Sequence, residues 1–111
     1  MLTIFIAIFS VSATAQSLTA SKFNATKNSA HTIAYLNGVG QGFLYANAVL
    51  VSEGKSPLYC QPKSIVLFGE NFVRLIEEEL KSPSIGRPYQ PDIPVDLMLL
   101  KALQANFPCG R

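Results

Sequence analysis

The apolar segment from Ala30 to Val51 constrains the fold of this chain more than any other feature. Its apolar side chains recur at three- and four-residue steps and surround most of a helix's circumference. We therefore predict a long, largely buried helix over this segment. Asn28 and Ser29 are candidates for its N-cap, and Gly54 followed by Pro57 is expected to end it.

Three glycines inside this segment lower its helix propensity, by about 1 kcal/mol each relative to alanine. A glycine kept in a helix usually lets another backbone come close. We predict that Gly38 and Gly42 mark a close helix crossing. The run Gly38-Val-Gly40-Gln-Gly42 does not fit a nucleotide-binding loop, because it has neither the G-x-G-x-x-G spacing nor a terminal Gly-Lys-Ser/Thr.

The same periodicity predicts two further helices, from about Phe68 to Leu80 and from about Pro94 to Asn106. Between them, residues 82–92 contain three prolines and are expected to form an extended loop. Asp92 is the candidate cap of the last helix, and Pro94 suits its first turn.

Residues 16–29 are polar with little periodicity, so they form either a short leading helix or a loose arm. Residues 30–111 carry the three predicted helices. The sequence thus predicts a small all-α domain of three or four helices.

Residues 1–15 have the pattern of a secretory signal peptide. An apolar run from Leu2 to Val11 is about half the length of a membrane span, and Ala13-Thr14-Ala15 supplies small residues for cleavage before Gln16. No Lys or Arg precedes the apolar run, which departs from the usual pattern. The alternative is a buried N-terminal strand or helix. We expect export, with the mature protein in the periplasm.

The charge of the chain argues against two classes of partner. Its net charge is +2, and no basic cluster with interleaved aromatic residues occurs, so we expect no nucleic acid as a partner. No second apolar stretch reaches the roughly twenty residues that span a bilayer without interruption by charged or glycine residues. We therefore expect no membrane association after signal cleavage.

Cys60 and Cys109 are the only cysteines, and an exported protein meets an oxidising compartment. One intramolecular disulfide is the pairing we predict, and closing a loop of about 50 residues stabilises the fold by about 4 kcal/mol in the chain-entropy model. Free thiols or an intermolecular bridge are the alternatives. A catalytic cysteine needs a nearby base, and the chain has a single histidine, His31. We expect no catalytic residues, no metal and no cofactor.

Four residues are candidates for contact with a protein partner. Glu77 and Glu78 belong to a run of three glutamates, which is either a solvated face or an acidic patch for a basic partner. Arg87 and Tyr89, in the proline-rich loop, are residue types enriched at interface hot spots. Tyr89 alternatively folds back onto the core.

Three stretches of sequence, in this order and spacing, resemble the Rap/Tai immunity proteins. They are Tyr35-Leu-Asn-Gly38-Val-Gly-Gln-Gly42, then Cys60-Gln-Pro62, and finally Ala102-Leu103-Gln-Ala-Asn-Phe107-Pro108-Cys109. The resemblance covers roughly residues 30–110. Relatives often carry two further cysteines that this chain lacks, and a Ser or Thr cap after Cys-x-Pro where this chain has Val66-Leu67-Phe68.

The resemblance implies a periplasmic helical protein that neutralises a peptidoglycan amidase delivered by a type VI secretion system. Its cognate amidase effector would then be the partner, and inhibition would work by occlusion of the catalytic cleft. A homodimer stays open, because the sequence does not fix the oligomeric state. The alternatives are an HdeA-like periplasmic acid-stress chaperone or another exported helical binding protein. An enzyme is not expected.

Overall fold

The computed structural model describes residues 3–4 and 18–110. This part of the chain contains four helices and no strand: α1 (Ala20–Thr26), α2 (Ala30–Ser52), α3 (Gly69–Lys81) and α4 (Val95–Asn106). The predicted all-α class is confirmed, and the leading segment contains a short helix. The predicted cleavage site, and the signal peptide apart from residues 3–4, lie outside the described residues.

Both end signals of α2 act as the sequence indicates. The Thr32 N–H donates to the Ser29 hydroxyl oxygen over 3.1 Å, so Ser29 is the N-cap. At the other end Gly54 adopts a φ of 72°, and the Lys55 N–H donates to the Leu50 carbonyl over 2.8 Å. This is the left-handed glycine termination that satisfies the last carbonyls of a helix.

The start of α4 does not use the predicted cap. Asp92 is exposed, and no side chain caps the helix. The Val95 N–H donates instead to the Leu18 carbonyl over 2.8 Å, and the Ala20 N–H donates to the Ile93 carbonyl over 2.9 Å. The starts of α1 and α4 therefore satisfy each other's free amides, which removes the need for an Asp92 cap.

The core lies where α3 packs against both α2 and α4. Its largest fully buried side chains come from all four helices: Phe23, Leu36, Ile76, Val95, Met98, Leu99 and Leu103. Hydrophobic burial of these side chains holds α1 and the N-terminal half of α2 against α3 and α4.

The close approach between α2 and α3 occurs at a different glycine from those predicted. No atom of the described residues lies within 4 Å of the position that a Cβ would take at Gly38 or Gly42. The prediction of close packing at these two positions is therefore wrong. At Gly40 a Cβ would clash with the buried ring of Phe72 in α3. Two residues turn a helix by about 200°, so the glycines beside Gly40 point away from α3.

The start of α3 makes a second close contact with α2. A Cβ at Gly69 would lie 2.5 Å from the carbonyl oxygen of Ile33, so only glycine fits there without a shift. The Asn71 side-chain oxygen accepts the Phe68 N–H over 2.8 Å. Asn71 thus supplies the hydrogen bond of a helix start, although no Ser or Thr precedes the helix.

Candidate functional site

The two halves of α2 differ in how much of their apolar surface is covered. The buried residues of the helix are Thr32, Leu36, Gly40 and Asn47. Beyond Gly40 most apolar side chains face solvent, and Tyr45 is 70% exposed. The predicted largely buried helix is therefore wrong for the C-terminal half of α2.

The exposed side chains of this half form one surface with the segment that follows α2. Two grooves of about 300 and 720 Å³ run along it, and both are lined by Leu44 and Gln61. We define the α2 apolar surface by the exposed apolar side chains that line these grooves: Leu44, Tyr45, Val51, Ile65 and Val66. Eight of the eleven large apolar side chains exposed in the described residues lie between positions 44 and 68, so exposure is concentrated here.

A buried amide fixes the backbone beneath the α2 apolar surface. Asn47 is 8% exposed; its side-chain oxygen accepts the Leu58 N–H over 2.7 Å, and its amide donates to the Tyr59 carbonyl over 3.0 Å. The Tyr59 side chain is itself 2% exposed. Residues 57–61 are thus anchored to α2 by paired hydrogen bonds, although α2 carries no apolar partner helix at this level.

A disulfide closes the far edge of the same surface. Cys60 and Cys109 are bonded, with Cα atoms 4.8 Å apart, which confirms the predicted pairing. The Cys60 N–H also donates to the Phe107 carbonyl over 2.8 Å. Cys60 lines the larger groove, so the cross-link to the end of α4 holds the rim of the α2 apolar surface in place.

The α2 apolar surface carries little charge. Of the described residues that line its two grooves, Lys63 alone is charged, and the polar lining residues are amides such as Gln41 and Gln61. The Gln41 amide donates to the Leu67 carbonyl over 3.4 Å, and the Gln61 amide donates to the Ile65 carbonyl over 2.8 Å. An apolar centre with few charges is typical of the core of a protein interface.

The structure does not bring the four predicted partner residues into one patch. Glu77 is half-buried and lies 3.7 Å from the Lys27 ammonium, whereas Glu78 is exposed. Arg87 and Tyr89 line a separate groove beside α4. A single acidic and aromatic contact surface formed by these residues is therefore excluded by their placement.

The third glutamate of the acidic run is not on a solvated face. Glu79 is 5% exposed, and one of its oxygens accepts from the Ser84 N–H, the Ser84 hydroxyl and the Tyr89 hydroxyl, at 2.7, 2.6 and 2.6 Å. Burial, together with the hydrogen bond to Glu79, raises the pKa of Tyr89 to about 12. Tyr89 thus folds back onto α3 and anchors the proline-rich loop.

A second tyrosine–carboxylate pair joins α2 to α4. The Tyr35 hydroxyl donates to both oxygens of Asp96 over 2.8 Å. Burial first, and then the hydrogen bond and charge of Asp96, raise the pKa of Tyr35 to about 12. Asp96 lies in the first turn of α4, where a negative charge is also favoured by the helix dipole.

Neither a metal site nor a membrane span is found in the described part of the chain. No three His, Cys, Asp or Glu side chains there are grouped so that they could hold a metal ion. No helix there is both long enough and apolar enough to cross a membrane. His31 is exposed at the start of α2.

Sequence reasoning misses the α2 apolar surface because periodicity detects a helix but not what covers it. The available signal is a count: a helix of 23 residues, apolar on most sides, has only two other long helices to pack against. Some of its apolar surface must then stay exposed or bind another molecule.

Comparison with known proteins finds no matching family model, no matching curated protein and no matching solved structure. The resemblance to the Rap/Tai proteins therefore rests on the residues quoted above. Two of the quoted stretches border the α2 apolar surface, since Gly40, Gln41 and residues 60–62 line its grooves.

Proposed function

We propose that this chain is an exported immunity protein that binds a peptidoglycan amidase effector of a type VI secretion system and occludes its catalytic cleft. The observation that carries the proposal is the α2 apolar surface. Soluble monomers rarely expose contiguous apolar areas larger than a few hundred Å², and larger ones mark binding sites. On this proposal Leu44, Tyr45 and Val66 contact the amidase.

The rigidity of the surface supports inhibition by occlusion. Asn47 and the disulfide fix residues 57–61 before any partner binds. A preorganised surface loses little conformational entropy on association, so more of its contact energy appears as affinity. Inhibitory complexes of this type bury on the order of 1,600 Å², with a few side chains carrying most of the energy.

The residues of the resemblance supply the second line of support. Gly40, Gln41, Cys60 and Pro62 all line the grooves of the α2 apolar surface. Their roles in the fold differ: Gly40 permits contact with α3, and Cys60 forms the disulfide. A shared sequence pattern at these positions would preserve the shape of the surface while its exposed side chains adapt to one effector.

The proposal is tested with the secreted amidase encoded beside the gene for this chain. The oxidised protein is expected to bind that amidase and to stop its hydrolysis of peptidoglycan at a molar ratio near one to one. Cells are expected to survive the amidase in the periplasm only when this chain carries its own leader. Failure to bind a neighbouring amidase, or protection by a leaderless chain, would contradict the proposal.

Two other measurements separate the alternatives. Suppression of aggregation of unfolded proteins at low pH, without amidase binding, would favour the HdeA-like chaperone. A sedimentation measurement of the free protein tests whether a second copy covers the α2 apolar surface. If Ala48→Arg converts a dimer to a monomer, the surface belongs to a homodimer.

A further inference from the structure

A second groove lies between the proline-rich loop and α4, away from the α2 apolar surface. Its volume is about 470 Å³. The loop that forms one wall is held by Glu79, which accepts hydrogen bonds from Ser84 and Tyr89. Gly86, with a φ of 79°, makes the turn between these two anchors. The wall is therefore formed before any ligand binds.

The lining of this groove combines an apolar floor with two cations. Ile93 and Leu97 contribute apolar surface, and Leu97 is 43% exposed. Arg87 from the loop and Lys101 from α4 stand on the two sides of the groove. No acidic side chain of the described residues lines it.

The two cations have no internal counter-charge. Neither Arg87 nor Lys101 forms an ion pair within the part of the chain that the structure describes. The carboxylate of Glu79 is near, but its hydrogen-bonding oxygen already accepts three hydrogen bonds from the loop. The groove therefore presents uncompensated positive charge above an apolar floor.

From this arrangement we infer that the groove binds a short segment of a partner protein in which apolar side chains alternate with Asp or Glu. The apolar side chains of the segment rest on Ile93 and Leu97, and its carboxylates pair with Arg87 and Lys101. An apolar floor alone would accept any hydrophobic segment, so the two cations set the preference for an acidic one. This inference does not depend on the identity of the amidase.

The test uses two matched peptides and the full folded protein. The probes are acetyl-Leu-Asp-Leu-Glu-Leu-amide and the corresponding acetyl-Leu-Lys-Leu-Lys-Leu-amide, followed by NMR chemical shifts of the protein. The acidic peptide is expected to shift the signals of Tyr89, Ile93 and Leu97, and added salt is expected to weaken its binding. The basic peptide is expected to leave these signals unchanged.

Two double variants decide whether the named cations are responsible. Arg87→Gln with Lys101→Gln is expected to weaken acidic-peptide binding by about tenfold, which corresponds to about 0.7 kcal/mol for each charge. Lys63→Gln with Lys81→Gln removes the same net charge at exposed positions outside this groove and is expected to bind as the wild type does. Equal binding of both peptides, shifts elsewhere, no binding, or an unaffected groove variant would each overturn the inference.

Discussion

The two halves of α2 have similar sequences but different surroundings. In the N-terminal half, Leu36 and Gly40 are buried against α3 and α4 in the hydrophobic core. In the C-terminal half, Leu44 and Tyr45 are exposed, and the helix is supported by a loop that Asn47 holds through its side-chain amide. The first half is held by apolar packing, and the second by hydrogen bonds and a disulfide.

This difference explains how a small domain can keep a helix straight while leaving one end of it available. Hydrogen bonds from Asn47 and the Cys60–Cys109 link fix the backbone without covering the apolar side chains. Apolar packing could not do so, because it would bury the same side chains. The C-terminal half of α2 is therefore suited to binding another protein.

Removing the disulfide is expected to have the largest effect, and to act on the second half of α2. The double variant Cys60→Ala, Cys109→Ala should lose about 2–5 kcal/mol of unfolding free energy, measured by urea denaturation. Hydrogen exchange should rise in residues 44–61 before it rises in residues 30–43. Unchanged stability, or uniform exchange along α2, would show that the two halves are not supported separately.

Two alanine substitutions are expected to have opposite signs in the first half. Gly40→Ala should destabilise by about 1–3 kcal/mol, because its methyl group would collide with the Phe72 ring. Gly42→Ala should stabilise by about 0.5–1 kcal/mol, because the site is open and alanine favours helix. Thermal unfolding of both variants makes the comparison, and equal effects would contradict the assigned helix crossing.

Alkaline pH is expected to weaken the tyrosine–carboxylate anchors. The pKa of Tyr35 is raised from 10.0 to about 12, so between these values the folded state keeps a proton that the unfolded chain releases. The stability contributed by this group is present below pH 10 and is lost as the pH rises toward 12. Tyr89, whose pKa is raised likewise, should behave in the same way.

Phenylalanine variants isolate this contribution from other alkaline titrations. Tyr35→Phe should lose about 1 kcal/mol at neutral pH, the typical net value of a hydrogen bond. Its stability should then fall less steeply above pH 10 than that of the wild type, as measured by urea denaturation across this range. Parallel pH profiles for the two proteins would exclude Tyr35 as a source of the alkaline loss.

The helices themselves could be predicted from the sequence because their ends carry local signals. Ser29 and Gly54 mark the ends of α2 through their own side-chain or backbone chemistry. Asp92 fails as a cap because a distant carbonyl, that of Leu18, satisfies the start of α4. Local patterns cannot report a partner that lies more than seventy positions away.

The candidate site was less predictable, for a physical reason. Asn47 is buried because it satisfies loop backbone, and an apolar periodicity assigns no burial to an amide. Glu79 is buried because three donors from the following loop converge on it, whereas its neighbours Glu77 and Glu78 suggest a solvated run. In both cases tertiary hydrogen bonds decide burial, and the sequence does not contain their geometry.

The central claim is that the C-terminal half of α2 binds the amidase and the N-terminal half does not. Ala34 and Ala48 provide a matched test, since both are exposed in α2 and lie fourteen residues, or about 21 Å, apart on nearly the same side. Each changed to Arg should alter stability by no more than about 0.5 kcal/mol. Only Ala48 lines a groove of the α2 apolar surface.

Titration calorimetry of the two variants with the neighbouring amidase tests the claim most directly. Ala48→Arg is expected to weaken binding by at least about tenfold, since a long charged side chain would enter an apolar interface. Ala34→Arg is expected to bind as the wild type does. Equal affinities for the two variants, or a greater loss with Ala34→Arg, would contradict the assignment of the α2 apolar surface as the binding site.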